Sequence, residues 1–202
     1  MLSSDENHWT KYNQAQAGRP VRPLLIQALS YCHSPGKGRA LDLGAGAGVE
    51  TAKLLSHGFE VHSVEPDAHS ENLIQSTIMQ ADPDYLKRWS HSVATAQDFV
   101  FDKHSFDLIY SGFALPFCPP EHFPAAWSRI LNAVAPGGIL AVDLLGPRDS
   151  WAEQPLISTV ERSWVEDSLE DFTVLHFDEK AHHGKTFTGE KFWHIFTLIA
   201  QR

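Results

Sequence analysis

From residue 20 onward, short apolar runs alternate with stretches whose apolar residues recur every three or four positions. Leu25, Ala28, Leu29 and Cys32 share one helical face behind Pro23, a residue suited to a helix start. Residues 40–43 read as a short buried strand. Val49, Ala52 and Leu55 stripe the next helix, which Gly58 ends. Residues 59–65 alternate as a strand, 68–79 continue as a helix, and 92–96 give a weaker strand signal than 106–111. After Pro120, Phe123, Ala126, Trp127, Ile130, Leu131 and Val134 fall at i, i+3, i+4, i+7, i+8 and i+11, the best-patterned helix of the chain. "APGG", residues 135–138, stops it, and 139–145 is the next strand.

The end of the chain breaks this alternation. Residues 172–182 and 192–200 are strand-like runs joined by "HGKTFTGEK" with no helix between them, so they form an antiparallel hairpin. "FWHIFTLIA" is nearly all apolar, as expected of a strand covered on both faces, whereas "FTVLHFDEK" is mixed and suits an edge. The last strand is therefore predicted to slot inside its predecessor. A turn centred on Lys185 sets Glu179 opposite Lys191 and Phe177 opposite Trp193. The predicted fold is α/β: a doubly wound, mostly parallel seven-stranded sheet, Rossmann-like, with helices on both faces and a C-terminal antiparallel hairpin.

Composition narrows the classes. A chain of 202 residues suits one domain with a sizeable core, and 43% apolar with 20% charged residues is an ordinary globular balance. A formal charge of −9 argues against a nucleic-acid partner, which favours a basic face. Cys32 and Cys118 make no disulfide framework and read as small buried residues. Twelve histidines include the adjacent His182 and His183, yet with no H-E-x-x-H or cysteine cluster the pair reads as a solvated loop, and no metal is expected. "MLSSDENHWTKY" lacks the apolar core of a signal peptide, and no apolar run reaches about 18 residues, so the expectation is a cytoplasmic protein with no membrane partner.

The chemistry concentrates in "RALDLGAGAGVETAKLLSHGFEVHSVEPD", residues 39–67. Gly44, Gly46 and Gly48 follow a strand and open a helix, where the backbone turns tightly and a ligand approaches without a Cβ in the way. Glu65 ends the next strand, where a carboxylate accepts both hydroxyls of a ribose. A dinucleotide site wants its third small residue three after the second glycine. Here that residue is Val49, and Asp42 ahead of the turn suits a cationic ligand group better than a pyrophosphate. Both departures disfavour a nicotinamide oxidoreductase.

"LDLGAGAG", "VHSVEPD", "FDLIYSGFALPF" and "LNAVAPGGILAVDLLG" resemble, in order, the successive motifs of class I S-adenosylmethionine-dependent methyltransferases. The nearest likeness is to small bacterial enzymes of the tellurite-resistance and thiopurine type. The resemblance implies S-adenosylmethionine as cofactor and a small-molecule acceptor. It implies Asp42, Gly44, Ala45 and Gly46 around the methionine part, with Gly48 easing the backbone nearby. Glu65 would bind the ribose, with Pro66 and Asp67 beside the adenine; Ala96, Gln97 and Asp98 form the loop at the adenine, and Asp98 would accept from its amino group. Ser111, Gly112 and Phe113 would lie under the sulfonium, while Tyr12 and Arg19 belong to a segment folding over the cofactor, Arg19 pairing with its carboxylate. Residues 1–202 then form one domain: 1–35 the covering segment and first helix, 36–146 the cofactor core, 147–202 a lid, a helix and the closing hairpin.

After the fourth strand the chain reads S-G-F-A-L-P-F, with neither an acid nor the Asn/Asp-Pro-Pro-aromatic signature of amino-group DNA methyltransferases. Phe113, Leu115 and Phe117 suggest an apolar pocket, and "GPRDSWAEQP", residues 146–155, a lid over it. No catalytic base is assigned, which favours an acceptor with a soft or ionised atom. Relatives acting on tellurium or selenium oxyanions carry basic residues in this hairpin, whereas "FDEKAHHGKTFTGEKFWH" has prominent acids and no arginine, which puts tellurite as substrate in doubt. A non-catalytic cofactor-binding domain is the alternative.

Overall fold

The computed structural model describes residues 7–32 and 38–202; the first six residues of the amino-terminal stretch and 33–37 lie outside the described residues. Thirteen helices and strands follow one another: α1 (Asn7–Gln16), α2 (Pro23–Ser30), β1 (Arg39–Leu43), α3 (Val49–Ser56), β2 (Glu60–Val64), α4 (Ser70–Ala81), β3 (Trp89–Ser92), β4 (Phe106–Ser111), α5 (Phe123–Ala133), β5 (Val134–Leu145), α6 (Arg162–Asp167), β6 (Thr173–Thr186) and β7 (Gly189–Gln201). Short 3₁₀ turns occupy Pro83–Arg88 and Leu115–Phe117.

One seven-stranded sheet has the order β3-β2-β1-β4-β5-β7-β6. The first five strands pair in parallel, and β7 runs antiparallel between β5 and β6. The last strand thus lies inside its predecessor, as its apolar run predicts. Alternation along β1 shows how the sheet builds two cores. Leu41 and Leu43 pack with Trp127 and Ile130 of α5, whereas Ala40 joins Leu25, Leu55 and Ile74 of α2, α3 and α4 on the other face. On α5, Phe123, Ala126, Trp127 and Ile130 are all buried; burying Phe123 and Ile130 alone stabilises by about 1.5–3 kcal/mol each.

Three elements differ from the pattern reading. The third strand is Trp89–Ser92 and residues 94–97 are loop. Its polar W-S-H-S run is held at the sheet edge by side chains, with Trp89 Nε1 donating to Ser63 Oγ at 2.8 Å and His62 bonded to Ser90 and Ser92. β5 begins at Val134 and runs through the A-P-G-G segment, with a register shift against β4 at Phe106–Leu108. The hairpin is longer and its turn tighter: Thr186 pairs with Gly189 around Phe187 and Thr188, and Glu179 faces Phe196 while Lys191 faces Gly184. The register centred on Lys185 is therefore wrong by five positions, and His182 and His183 are consecutive strand residues, not loop.

Candidate functional site

Sheet topology places the site. The chain leaves β1 toward β2 on one side, and β4 lies on the other, so a crevice opens beyond the C-terminal ends of these strands. Gly44, Glu65 and Gly112 directly follow β1, β2 and β4, and all three line one cavity of about 710 Å³. That size suits a small organic ligand.

The turn after β1 is set by backbone bonds: Gly44 N and Ala45 N both donate to Val64 O, at 2.8 and 3.1 Å. Gly44 has φ +83°, and a Cβ on it would overlap that of Ala114. Gly46, at φ +53°, lines the cavity, and a Cβ on it would crowd Asn13 Oδ1 at 3.2 Å, so both the backbone and the space favour glycine here. Glu65 is 6% exposed. Its Oε2 accepts from Gly46 N at 2.9 Å and its Oε1 from Asp67 N at 3.3 Å. Burial raises the Glu65 carboxyl above its usual range, and these two amide donors oppose the rise.

Beneath the turn is a buried polar layer. Thr51 Oγ1 donates to Asp42 Oδ2 at 2.6 Å; burial first, then the charge of Glu50, pushes the Asp42 carboxyl up to about 7. Arg19 clamps Glu50 through both terminal nitrogens, at 2.7 and 2.6 Å, and Arg22 N donates to the same carboxylate at 3.0 Å. The Tyr110 hydroxyl is buried without a partner.

Of the predicted residues, Tyr12, Gly44, Gly46, Glu65, Pro66, Ala96, Gln97, Gly112 and Phe113 line the cavity. Arg19, Asp42, Ala45, Gly48, Asp67, Asp98 and Ser111 do not, each for a local reason. Arg19 and Asp42 belong to the layer just described. Ala45 is in the core behind the turn. A Cβ on Gly48 would lie 2.8 Å from Ile74 Cγ2, so that glycine lets α3 and α4 pack. Asp67 accepts from Thr10, Asn13 and Ser70, docking α1 on the start of α4. Asp98 is exposed and accepts from Thr95 Oγ1 at 2.6 Å; Ser111 Oγ donates to Leu43 O at 2.9 Å, inside the sheet.

Other lining residues escape a motif reading. Asn13 and Trp9 come from α1, Arg22 from the segment before α2, Trp151 from the 146–157 loop, and Trp193, Lys185 and Phe187 from the hairpin. Arg22 carries its guanidinium carbon 5.3 Å from the centre of the Phe113 ring. Phe113 holds φ +62°, a left-handed conformation that costs a non-glycine residue about 1–2 kcal/mol and aims its ring at the cavity. Phe117 lines the cavity beside it, whereas Leu115 is 1% exposed and belongs to the core. The 146–157 loop is a fixed wall: Gly146 N donates to His194 O at 2.8 Å, Ser150 N to Phe192 O at 3.0 Å, and the adjoining Ser158 N to Pro116 O at 2.8 Å. Burial pushes both thiols, Cys32 and Cys118, up to about 11, which keeps them unreactive at neutral pH. No group of three or more His, Cys, Asp or Glu among the described residues is arranged to hold a metal ion. No described helix is long and apolar enough to cross a membrane.

Residues 40–138, just under half of the chain, match the family model described as "Methyltransferase domain", and the crevice, the glycine turn and the strand-end glutamate stand on a sheet with the fold of S-adenosylmethionine-dependent methyltransferases. Among curated proteins, a malonyl-[acyl-carrier protein] O-methyltransferase of Halorhodospira halophila is 31% identical over 123 residues, 57% of this chain and 39% of its own length. The chain thus spans less than half the length of the curated relatives it matches. Among solved structures, TehB from Haemophilus influenzae superposes with a TM-score of 0.73 at 17% identity, covering 98% of this chain and 66% of TehB. A Burkholderia thailandensis 1,6-didemethyltoxoflavin-N1-methyltransferase, solved with bound 1,6-didemethyltoxoflavin and S-adenosylhomocysteine, gives a TM-score of 0.63 at 17% identity over 97% of this chain and 84% of its own. At such identities the likeness is one of fold.

The residues present fit the cofactor of that class. The glycine turn at the cavity wall, a buried carboxylate held by two amides and an arginine beside an apolar ring offer donors and acceptors for an amino acid and a ribose.

Proposed function

We propose that the protein transfers the methyl group of S-adenosylmethionine to a small-molecule acceptor whose attacking atom is soft or already ionised. The observation carrying this is that one continuous cavity joins the glycine turn and Glu65 to an aromatic wall, with no carboxylate but Glu65 among its described lining residues. When bound, the cofactor supplies an activated methyl on a sulfonium. The chain's part is then to align two reactants and exclude water.

In this reading Glu65 accepts both ribose hydroxyls, Gly44 and Gly46 admit the methionine part, and Ala96 and Gln97 flank the adenine. Arg22, not the neutralised Arg19, is the cation for the cofactor carboxylate, because Arg19 already saturates Glu50. Phe113 and Gly112 lie under the sulfonium. A toxoflavin N1-methyltransferase and an acyl-carrier O-methyltransferase among the similar proteins support group transfer as the activity class. Calorimetry with S-adenosylhomocysteine and with NAD, followed by product detection over thiols, phenols, amines and oxyanions, tests the reading. Binding of the first ligand alone and a methylated product are expected; NAD binding, or no product from any acceptor, would overturn it.

A further inference from the structure

Among the described residues, two that are not glycine hold a left-handed backbone: His104, in the turn before β4 and outside the cavity lining, and Phe113, at φ +62° and within it. A glycine adopts this conformation without cost. The chain carries a phenylalanine there instead, and strain kept at a cavity wall points to a use for the ring.

Two groups meet that ring. Trp193 approaches it edge-on, centres 5.7 Å apart, and the Arg22 guanidinium carbon lies 5.3 Å from its centre, within the range of cation–π attraction. Arg22 is thereby fixed at three points along its length. Its main-chain N donates to Glu50 Oε1 at 3.0 Å, its Cδ passes over Gly112, where a Cβ would come within 3.0 Å of it, and its head rests on Phe113. Among the described residues the guanidinium forms no ion pair. The carboxylates around it are engaged elsewhere. Glu50 is clamped by Arg19, Asp143 accepts from Thr197 Oγ1 at 2.7 Å, and Glu65 accepts from Gly46 N and Asp67 N.

We infer that Phe113 is a positioning residue: its left-handed backbone lays the ring against the Arg22 guanidinium and holds that cation ready for the carboxylate of the cofactor's amino acid. The inference rests on the proposed function, in which Arg22 takes that carboxylate. A free arginine samples many rotamers, and ordering it at the moment of binding costs affinity. An acidic partner would order it too, but would consume the N–H donors that the ligand needs. An aromatic face orders the planar guanidinium and leaves those donors unspent.

The test compares two ligands by calorimetry: S-adenosylhomocysteine, and 5′-methylthioadenosine, which keeps the adenine, ribose and sulfur but lacks the amino acid. Asparagine tolerates the left-handed backbone, so Phe113→Asn keeps the turn and removes the ring. Phe113→Leu fills the space without a π face. Each should weaken S-adenosylhomocysteine about fivefold more than 5′-methylthioadenosine, whose sulfur shares any direct contact with the ring. Phe113→Tyr, which retains the aromatic face, should stay within about twofold of wild type for both ligands. In an Arg22→Gln background, Phe113→Asn should cost the two ligands alike, because its selective effect acts through the arginine. A ring that merely packs the wall would give equal losses for both ligands in the wild-type background, and that result would sink the inference while leaving the cofactor reading intact. A selective loss that persists without Arg22 would also overturn it. Wild-type protein that binds neither ligand would unseat the cofactor reading, and the inference with it.

Discussion

Lys191 and Asp149 form a buried ion pair that fixes the 146–157 loop to β7, with side chains 3% and 0% exposed. Asp149 Oδ1 and Oδ2 also accept from Trp151 N and His194 N, each at 3.0 Å. Burial pulls the Lys191 ammonium below its usual range, and Asp149 works against that. The two partners are therefore not equivalent. Lys191→Met leaves the carboxylate two backbone donors and should cost about 1–3 kcal/mol. Asp149→Ala strands an ammonium and two amides, and about 3–5 kcal/mol is expected. Urea unfolding of both variants measures the order, and a Lys191→Met loss equal to or above that of Asp149→Ala would contradict this account.

Glu65 arrives at the cavity already oriented by Gly46 N and Asp67 N. Glu65→Gln keeps its shape but loses the charge that two ribose hydroxyls would share, so S-adenosylhomocysteine affinity should fall by about 2–3 kcal/mol in a folded protein. Unchanged affinity by calorimetry would remove the ribose from this position.

Two glycines of the turn, Gly46 and Gly48, predict different phenotypes. Gly46 lines the cavity at φ +53°, with Asn13 Oδ1 3.2 Å from where a Cβ would stand, so Gly46→Val should abolish cofactor binding at some cost in stability while helical circular dichroism remains. Gly48, at φ +77°, has Ile74 Cα 2.9 Å from where a Cβ would be. Gly48→Ala should therefore destabilise the fold by about 1–3 kcal/mol and leave affinity in the folded fraction nearly intact. Thermal melts read beside calorimetry separate the two, and the reverse pattern would refute the assignment.

The core was legible because Ala40–Leu43, Phe106–Ser111 and the α5 stripe answer to a single dominant force, burial of apolar faces. Glu65 and the glycines were legible because a tight turn needs specific residues. β3 was misplaced because an edge strand held by Ser and His side chains shows no apolar alternation. Arg19 was named for the cofactor carboxylate because nothing local reveals that Glu50, a helix away, holds it. The aromatic wall of the cavity was only partly visible: Phe113 and Phe117 stand in one motif, but Trp9, Trp151 and Trp193 meet them only after the hairpin and α1 have docked.

Asp42 should leave a mark on stability against pH. Its folded carboxyl titrates at about 7, well above the ordinary value near 4. Between about pH 4 and pH 7 the folded state holds a proton that the unfolded chain releases, so this group's contribution falls as pH rises through that window; below about 4 both states are protonated and no difference remains. Asp42→Asn removes the titration. Relative to the wild type, the variant should gain stability steadily from pH 4 to pH 7. Urea midpoints across that range provide the check, and a constant difference would mean that Asp42 is ionised throughout.

The hairpin turn decides which charges meet. With Thr186 opposite Gly189, Glu179 projects toward the start of the 146–157 loop and not toward Lys191. Its Oε1 accepts from Arg148 Nη2 at 2.7 Å and lies 2.8 Å from His194 Nε2. Those contacts, His194 first, hold the Glu179 carboxyl below its usual range. A pair across the turn centred on Lys185 would instead couple Glu179 to Lys191. Double-mutant cycles separate the two registers, because only residues in contact show an interaction beyond additivity. The Glu179/His194 cycle should give coupling that shrinks as salt rises, and the Glu179/Lys191 cycle should give none. A two-residue turn of Phe187 and Thr188 lacks the Asn-Gly type of signal, which is why residue pattern alone favours the wider loop. Coupling of Glu179 to Lys191 at low salt would restore that wider loop. Since the observed register is what sets Trp193 beside Trp151 and Phe187 beside Tyr12, it would also take apart the aromatic wall of the cavity.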